Sequence, residues 1–116
     1  MKKVVIDGVT YIPESQSAPE LNGMKYCIVR TYSAGVFAGY IESRNGQEVV
    51  MLNARRLWYW EGAASLSQLA MSGTSKPEKC KFPEEMERII LTQTIEIIDC
   101  SLIAKESIQA VNVWKT

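Results

Sequence analysis

The class of this fold turns on the stretch Tyr26-Cys27-Ile28-Val29-Arg30-Thr31-Tyr32-Ser33-Ala34-Gly35-Val36. Its first seven residues are aromatic or β-branched in all but two positions, a composition that packs well on a pleated surface. Three small residues, Ser33 to Gly35, then force a bend, and Val36 to Glu42 resumes as a second strand. Arg44-Asn45-Gly46 supplies a turn with Asn-Gly at its centre, so Glu48 to Leu52 returns as a third strand, and Arg55 to Trp60 reads as a fourth. Short connections between consecutive strands make this a meander of antiparallel strands.

Upstream, Lys2 to Ile6 and Val9 to Ile12 flank Asp7-Gly8, the two-residue turn that most strongly marks a β-hairpin. Pro13 ends it. Residues 14–24 carry Ser, Gln, Pro, Glu and Asn with no hydrophobic period and read as a linker or loop. Downstream, Ser65 caps a short helix whose Leu66, Leu69 and Ala70 share a face and whose stop is Gly73. After a Lys- and Pro-rich loop over 72–83, Arg88 to Thr92 and Thr94 to Asp99 form one long strand or two that meet near Gln93. Ser101 caps a last helix to Ala110, with Leu102, Ile103 and Ile108 as its packing residues, and Val111 to Trp114 is an apolar tail that docks. The expected architecture is α+β: a mainly antiparallel sheet of five to six strands, curled, barrel-like or flat, with one or two short helices and an N-terminal hairpin. The chain reads as one domain over 1–116, with 1–13 the hairpin, 14–24 the linker and 25–116 the main body.

With 116 residues, of which 47% are hydrophobic, the chain can bury a core without a disulfide or a metal. Thirteen Lys+Arg balance 13 Asp+Glu, which argues against broad capture of a long nucleic acid, since that grows with the phosphates neutralised. Histidine is absent, which removes the usual activator of Ser or Cys and the commonest zinc ligand. Cys27, Cys80 and Cys100 are scattered and form no C-x-x-C pair, so they read as reduced, buried thiols of a cytoplasmic protein. No apolar run approaches the roughly 18 residues of a membrane helix, and no signal-peptide core follows Met1. Glu84, Glu85 and Glu87 read as solvated loop charge, and Glu96 and Asp99 point to opposite faces of a strand. No catalytic residue, metal site or cofactor emerges, so an enzyme is not expected.

Two segments carry a binding signal. Alternation along Asn53 to Trp60 would put Arg56, Trp58 and Trp60 on one face, where a guanidinium forks a phosphate while an indole stacks a base. The alternative is that both tryptophans are core and the arginines mark the wet end of the strand. In Arg30-Thr31-Tyr32-Ser33-Ala34-Gly35, an Arg and a Tyr precede small residues whose backbone N–H groups could form an anion-binding concavity, or simply make a turn. The candidate ligand residues are therefore Arg30, Tyr32, Ser33, Ala34, Gly35, Arg56, Trp58 and Trp60.

These two motifs, together with Ile95-Glu96-Ile97-Ile98, resemble a family of small proteins of tailed phages and prophages that carries a domain-of-unknown-function label; the likeness covers about 25–98. The resemblance implies a phage-encoded protein working in the cytoplasm of an infected or lysogenic bacterium, and by analogy a non-catalytic homo-oligomer that sequesters a small nucleotide-type signal of host antiviral defence. The other reading is an accessory protein that acts on a host or virion protein through its Trp-rich face or a sheet edge. Neither reading requires a membrane or a long nucleic acid.

Overall fold

Val29 and Ile28 sit side by side in one strand and both are fully buried, so both faces of the sheet are covered here, and only Arg30 of this strand is exposed. That places Tyr26–Thr31 at the inside of a sheet. The computed structural model describes residues 17–116, together with the strand segments Val4–Ile6 (β1) and Val9–Tyr11 (β2). β1 and β2 pair antiparallel, Val4 opposite Tyr11 and Ile6 opposite Val9, as the hairpin reading requires. The Asp7-Gly8 turn itself, and the expected stop at Pro13, lie outside the described residues.

The main sheet has five antiparallel strands: β3 (Tyr26–Thr31), β4 (Val36–Asn45), β5 (Glu48–Arg56), β6 (Met86–Leu91) and β7 (Thr94–Asp99). Their order is β6-β5-β4-β3-β7. The Asn45–Glu48 pair closes the expected Asn-Gly hairpin. β6 and β7 are two strands and not one, and they lie at opposite edges although only Thr92 and Gln93 separate them. They do not pair, so the ladder is open and a barrel-like closure is unsupported. The β4–β5 pair has two register irregularities: between Ala38 and Tyr40, where β5 carries the extra residue around Asn53, and between Ile41 and Ser43, where β4 carries it. Gly39 sits at the first of them, where a Cβ would lie 2.8 Å from the Ala54 Cα.

The expected fourth strand over Arg55 to Trp60 does not exist. Glu48 to Arg56 is one continuous strand, interrupted only by Asn53, whose φ of 51° is the left-handed conformation that Asn tolerates. The chain leaves the sheet after Arg56, and Tyr59 makes only an isolated bridge to Lys81.

Helix α1 (Leu66–Ser72) is capped by Ser65, whose side chain accepts from the Gln68 N–H, and it stops at Gly73 with φ 74°. Helix α2 (Leu102–Ala110) is capped by Ser101, whose hydroxyl accepts from the Ala104 N–H 3.0 Å away and donates to the Met71 carbonyl. One hydroxyl thus starts α2 and ties it to α1. The inner face of α2 presents Ala104 and Ile108, whereas Ile103, expected to pack, is 67% exposed.

The two faces of the sheet carry separate cores. Tyr26, Ile28, Ala38 and Tyr40 pack with Leu69 and Ala70 of α1 and Ala104 and Ile108 of α2. Val29, Phe37, Val49, Met51, Ala54 and Leu91 form the other cluster, to which no helix contributes. Ser17 bridges Ser101, and the Ala18 N–H donates to the Cys100 carbonyl, which ties residues 17–18 to the body. The apolar tail docks as expected: Val113 bridges Phe82, and the Trp114 N–H donates to the Phe82 carbonyl. No helix of the described residues is long and apolar enough to cross a membrane.

Candidate binding surface

Arg55 and Arg56 are adjacent in β5 and have opposite environments. Arg55 is 5% exposed. Its Nε donates to the Pro83 carbonyl, Nη1 to Ile108 and Nη2 to Phe82, each at 3.0 Å, and its guanidinium lies over the Phe82 ring. It therefore pins the end of α2 and the 82–83 segment to the sheet, and burial lowers its pKa from the usual arginine value. Arg56 instead spreads over the Phe37 ring, 4.6 Å from its centroid.

The two arginines of the sequence-derived site, Arg30 and Arg56, do not converge. Arg30 is opposite Val36 and Arg56 opposite Phe37, and these neighbours in β4 point to opposite faces of the sheet. Arg30 is committed to Glu96, with Nε 2.9 Å from Oε1. In the bend, the Thr31 N–H and hydroxyl both donate to the Gly35 carbonyl, and the Ala34 N–H donates to the Thr31 hydroxyl. The Tyr32 N–H donates to the Gln93 carbonyl, and Ser33 donates to the Gln93 side chain. Of the N–H groups proposed for an anion, that of Ala34 is thus used within the turn. The Tyr32 ring is exposed.

Trp58 and Trp60 also part company. Trp60 is half-buried against the helix-covered core. Trp58 is 57% exposed and stacks on Trp114, with ring centroids 5.0 Å apart and planes 14° from parallel. The stack follows from two backbone links. Tyr59 and Lys81 exchange N–H···O=C bonds, and the Trp114 N–H bonds to Phe82, so the segments at 59, 81–82 and 113–114 run alongside one another. Lys81 is delivered to the same place: its Nζ lies 5.6 Å from the Trp58 centroid and 5.7 Å from those of Tyr59 and Trp114. Tyr59 is fixed by its hydroxyl, which donates to Glu61 at 2.7 Å.

Lys81 is the cation set over these rings, and Lys76 and Lys79 precede it in the same loop. Lys76, Lys79 and Lys81 are all exposed, and among the described residues none of them is in an ion pair. A groove of about 410 Å³ adjoins Trp114, walled by Pro77, Glu78, Cys80, Asn112 and Val113. The assembled surface is therefore Trp58, Tyr59, Lys81 and Trp114. Of these, the sequence had marked Trp58 alone. Lys81 and Trp114 lay in a loop and a tail with no local pattern, and only the alternation of aromatic and Lys in Lys81-Phe82 and Trp114-Lys115 hinted at them.

No group of three Cys, Asp or Glu residues able to hold a metal occurs among the described residues. All three cysteines are free and buried, as expected. The Cys27 thiol donates to Asp99 at 3.3 Å, and burial, reinforced by that carboxylate, pushes its pKa up to about 12. Burial pushes Cys100 up to about 12 as well, so neither forms a thiolate near neutral pH.

Comparison with known proteins gives one family. A family model described as a domain of unknown function (DUF6948) matches residues 24–108. No curated protein and no solved structure matches.

Proposed function

We propose that this chain, which belongs to the DUF6948 family, is a binding protein without turnover, and that its Trp58, Tyr59, Lys81 and Trp114 surface holds a flat, anionic, base-containing ligand. The observation that carries the reading is the half-exposed Trp58–Trp114 stack with the exposed Lys81 ammonium set over it. The outer face of an indole stacks a base, and the ammonium group meets its phosphates. A formal net charge of zero confines the attraction to this patch, which favours a compact ligand over a long strand. The resemblance of 25–98 to small phage proteins extends the reading to a nucleotide signal of host antiviral defence, sequestered in the infected cell by a homo-oligomer of this chain. Relative to the sequence reading, the ligand moves from Arg30, Arg56 and the Ser33 to Gly35 bend to the Lys81 surface.

Titration calorimetry with cyclic oligonucleotides and cyclic ADP-ribose isomers tests this. Binding by the native protein, and its loss in Trp114→Ala, is expected; silence across the panel sinks it. A second reading, docking of a protein, is favoured by the exposure of Val113 beside the two indoles, which makes the patch continuous and apolar. It predicts a pull-down from host cells that nuclease and added nucleotides leave unchanged and that Trp58→Ala abolishes.

A further inference from the structure

Burying a guanidinium is costly unless something compensates both its N–H groups and its charge. In Arg55 the first requirement is met in part, and the second only without contact, by the Glu85 carboxylate at the same pocket. Of its five N–H donors, three bond to carbonyl oxygens, leaving one hydrogen on Nη1 and one on Nη2. Carbonyls carry no net charge, and among the described residues no carboxylate forms an ion pair with Arg55. The side chain nevertheless is 95% buried, being only 5% exposed.

Arg55 lines a pocket of about 230 Å³ whose other walls are Tyr26, Glu85, Gln109, Val111 and Val113. The Tyr26 phenol is buried and keeps its proton, so it can donate. The Gln109 amide adds a further donor at the open side. The donors are thus guanidinium, phenol and amide, with Arg55, Tyr26 and Val111 buried at its inner side and Glu85, Gln109 and Val113 at its solvent side. Glu85 stands at the same pocket as an exposed carboxylate of this chain, a competitor for the same cation.

We infer that the pocket between Arg55, Tyr26 and Gln109 is a site for a small oxyanion, a phosphate or carboxylate group, adjoining the aromatic surface at Val113 but independent of the function proposed for it. The anion accepts from the two remaining guanidinium hydrogens and from the Tyr26 hydroxyl, and it neutralises Arg55. Glu85 repels it, so occupancy is limited by that side chain.

The test uses the full chain, with inorganic phosphate and acetate titrated at constant ionic strength against chloride, read by calorimetry and by thermal unfolding. Tm is expected to rise with at least one oxyanion and not with chloride. Tyr26→Phe, which keeps the ring, is expected to weaken that binding about tenfold, the worth of one bond to a charged group. Glu85→Gln is expected to tighten it several-fold. Equal effects of phosphate, acetate and chloride would overturn the site, as would oxyanion binding that neither variant changes.

Discussion

Trp58, at the exit of the central hairpin, and Trp114, in the C-terminal tail, lie nearly parallel with their ring centroids 5.0 Å apart. Neither ring is buried, so each holds the other in place. Such a pair contributes about 0.5–1.5 kcal/mol beyond the area it covers. A double-mutant cycle of Trp58→Ala and Trp114→Ala, followed by urea unfolding, should return a coupling in that range. Strict additivity would show that the stack is not populated in solution.

Replacing Arg55 by Lys keeps the charge but cannot fork to three carbonyl oxygens in three directions. The variant should lose about 3 kcal/mol, since charge-assisted bonds to three carbonyls are forfeited and the Pro83 carbonyl loses its donor, whereas Phe82 and Ile108 keep the N–H groups of Trp114 and Val111. Arg56→Lys, which disturbs only the contact with the Phe37 ring, should lose less than about 1 kcal/mol. Equal losses in chemical denaturation would contradict the division of labour between these neighbours.

Thr94 is buried, its N–H donates to the Gln47 carbonyl, and its Oγ1 is buried without a hydrogen-bond partner. Thr94→Val keeps the shape and removes the orphan hydroxyl. Stability should rise by about 1 kcal/mol. A lower Tm than the parent would mean that the hydroxyl has a partner in solution.

Alkaline pH should destabilise the fold. Cys27 and Cys100 are raised from an ordinary 9.0 to about 12, and Tyr26 is raised as well, all chiefly by burial. Below pH 9 both folded and unfolded chains keep these protons, and the contribution is fully present. Above it the unfolded chain ionises first, so stability falls as pH rises; the cysteine contribution is spent past about 12, and Tyr26 carries the fall further. Urea midpoints measured across this range should decline; a flat profile up to about pH 11 would show that these groups are accessible in the folded state.

The elements legible in the sequence were those specified locally. Ser65 and Ser101 cap because their hydroxyls reach N–H groups three residues ahead, and Asn45-Gly46 turns because its backbone permits it. Alternation failed beyond Arg56 because Asn53 takes a left-handed conformation, absorbed as an irregularity, and because the chain then leaves the ladder. Period-two reasoning needs an unbroken pleat, and Arg56, Trp58 and Trp60 do not share one. The aromatic surface was invisible for a different reason: Lys81 and Trp114 reach Trp58 only through bridges between distant segments. The placement of β6 and β7 on opposite edges was also nonlocal, since two residues between strands ordinarily mark a hairpin.

That strand order has a consequence during synthesis. β3 acquires one neighbour from β4 as soon as the first hairpin closes, but its other neighbour is β7, which ends at Asp99. A ribosome must therefore deliver most of the chain before Tyr26-Cys27-Ile28-Val29 is covered on both sides. Until then this uncharged, β-forming run is an open template for a second nascent chain. Aggregation during expression should thus be governed by how long translation and early folding leave that edge waiting, more than by the stability of the finished molecule.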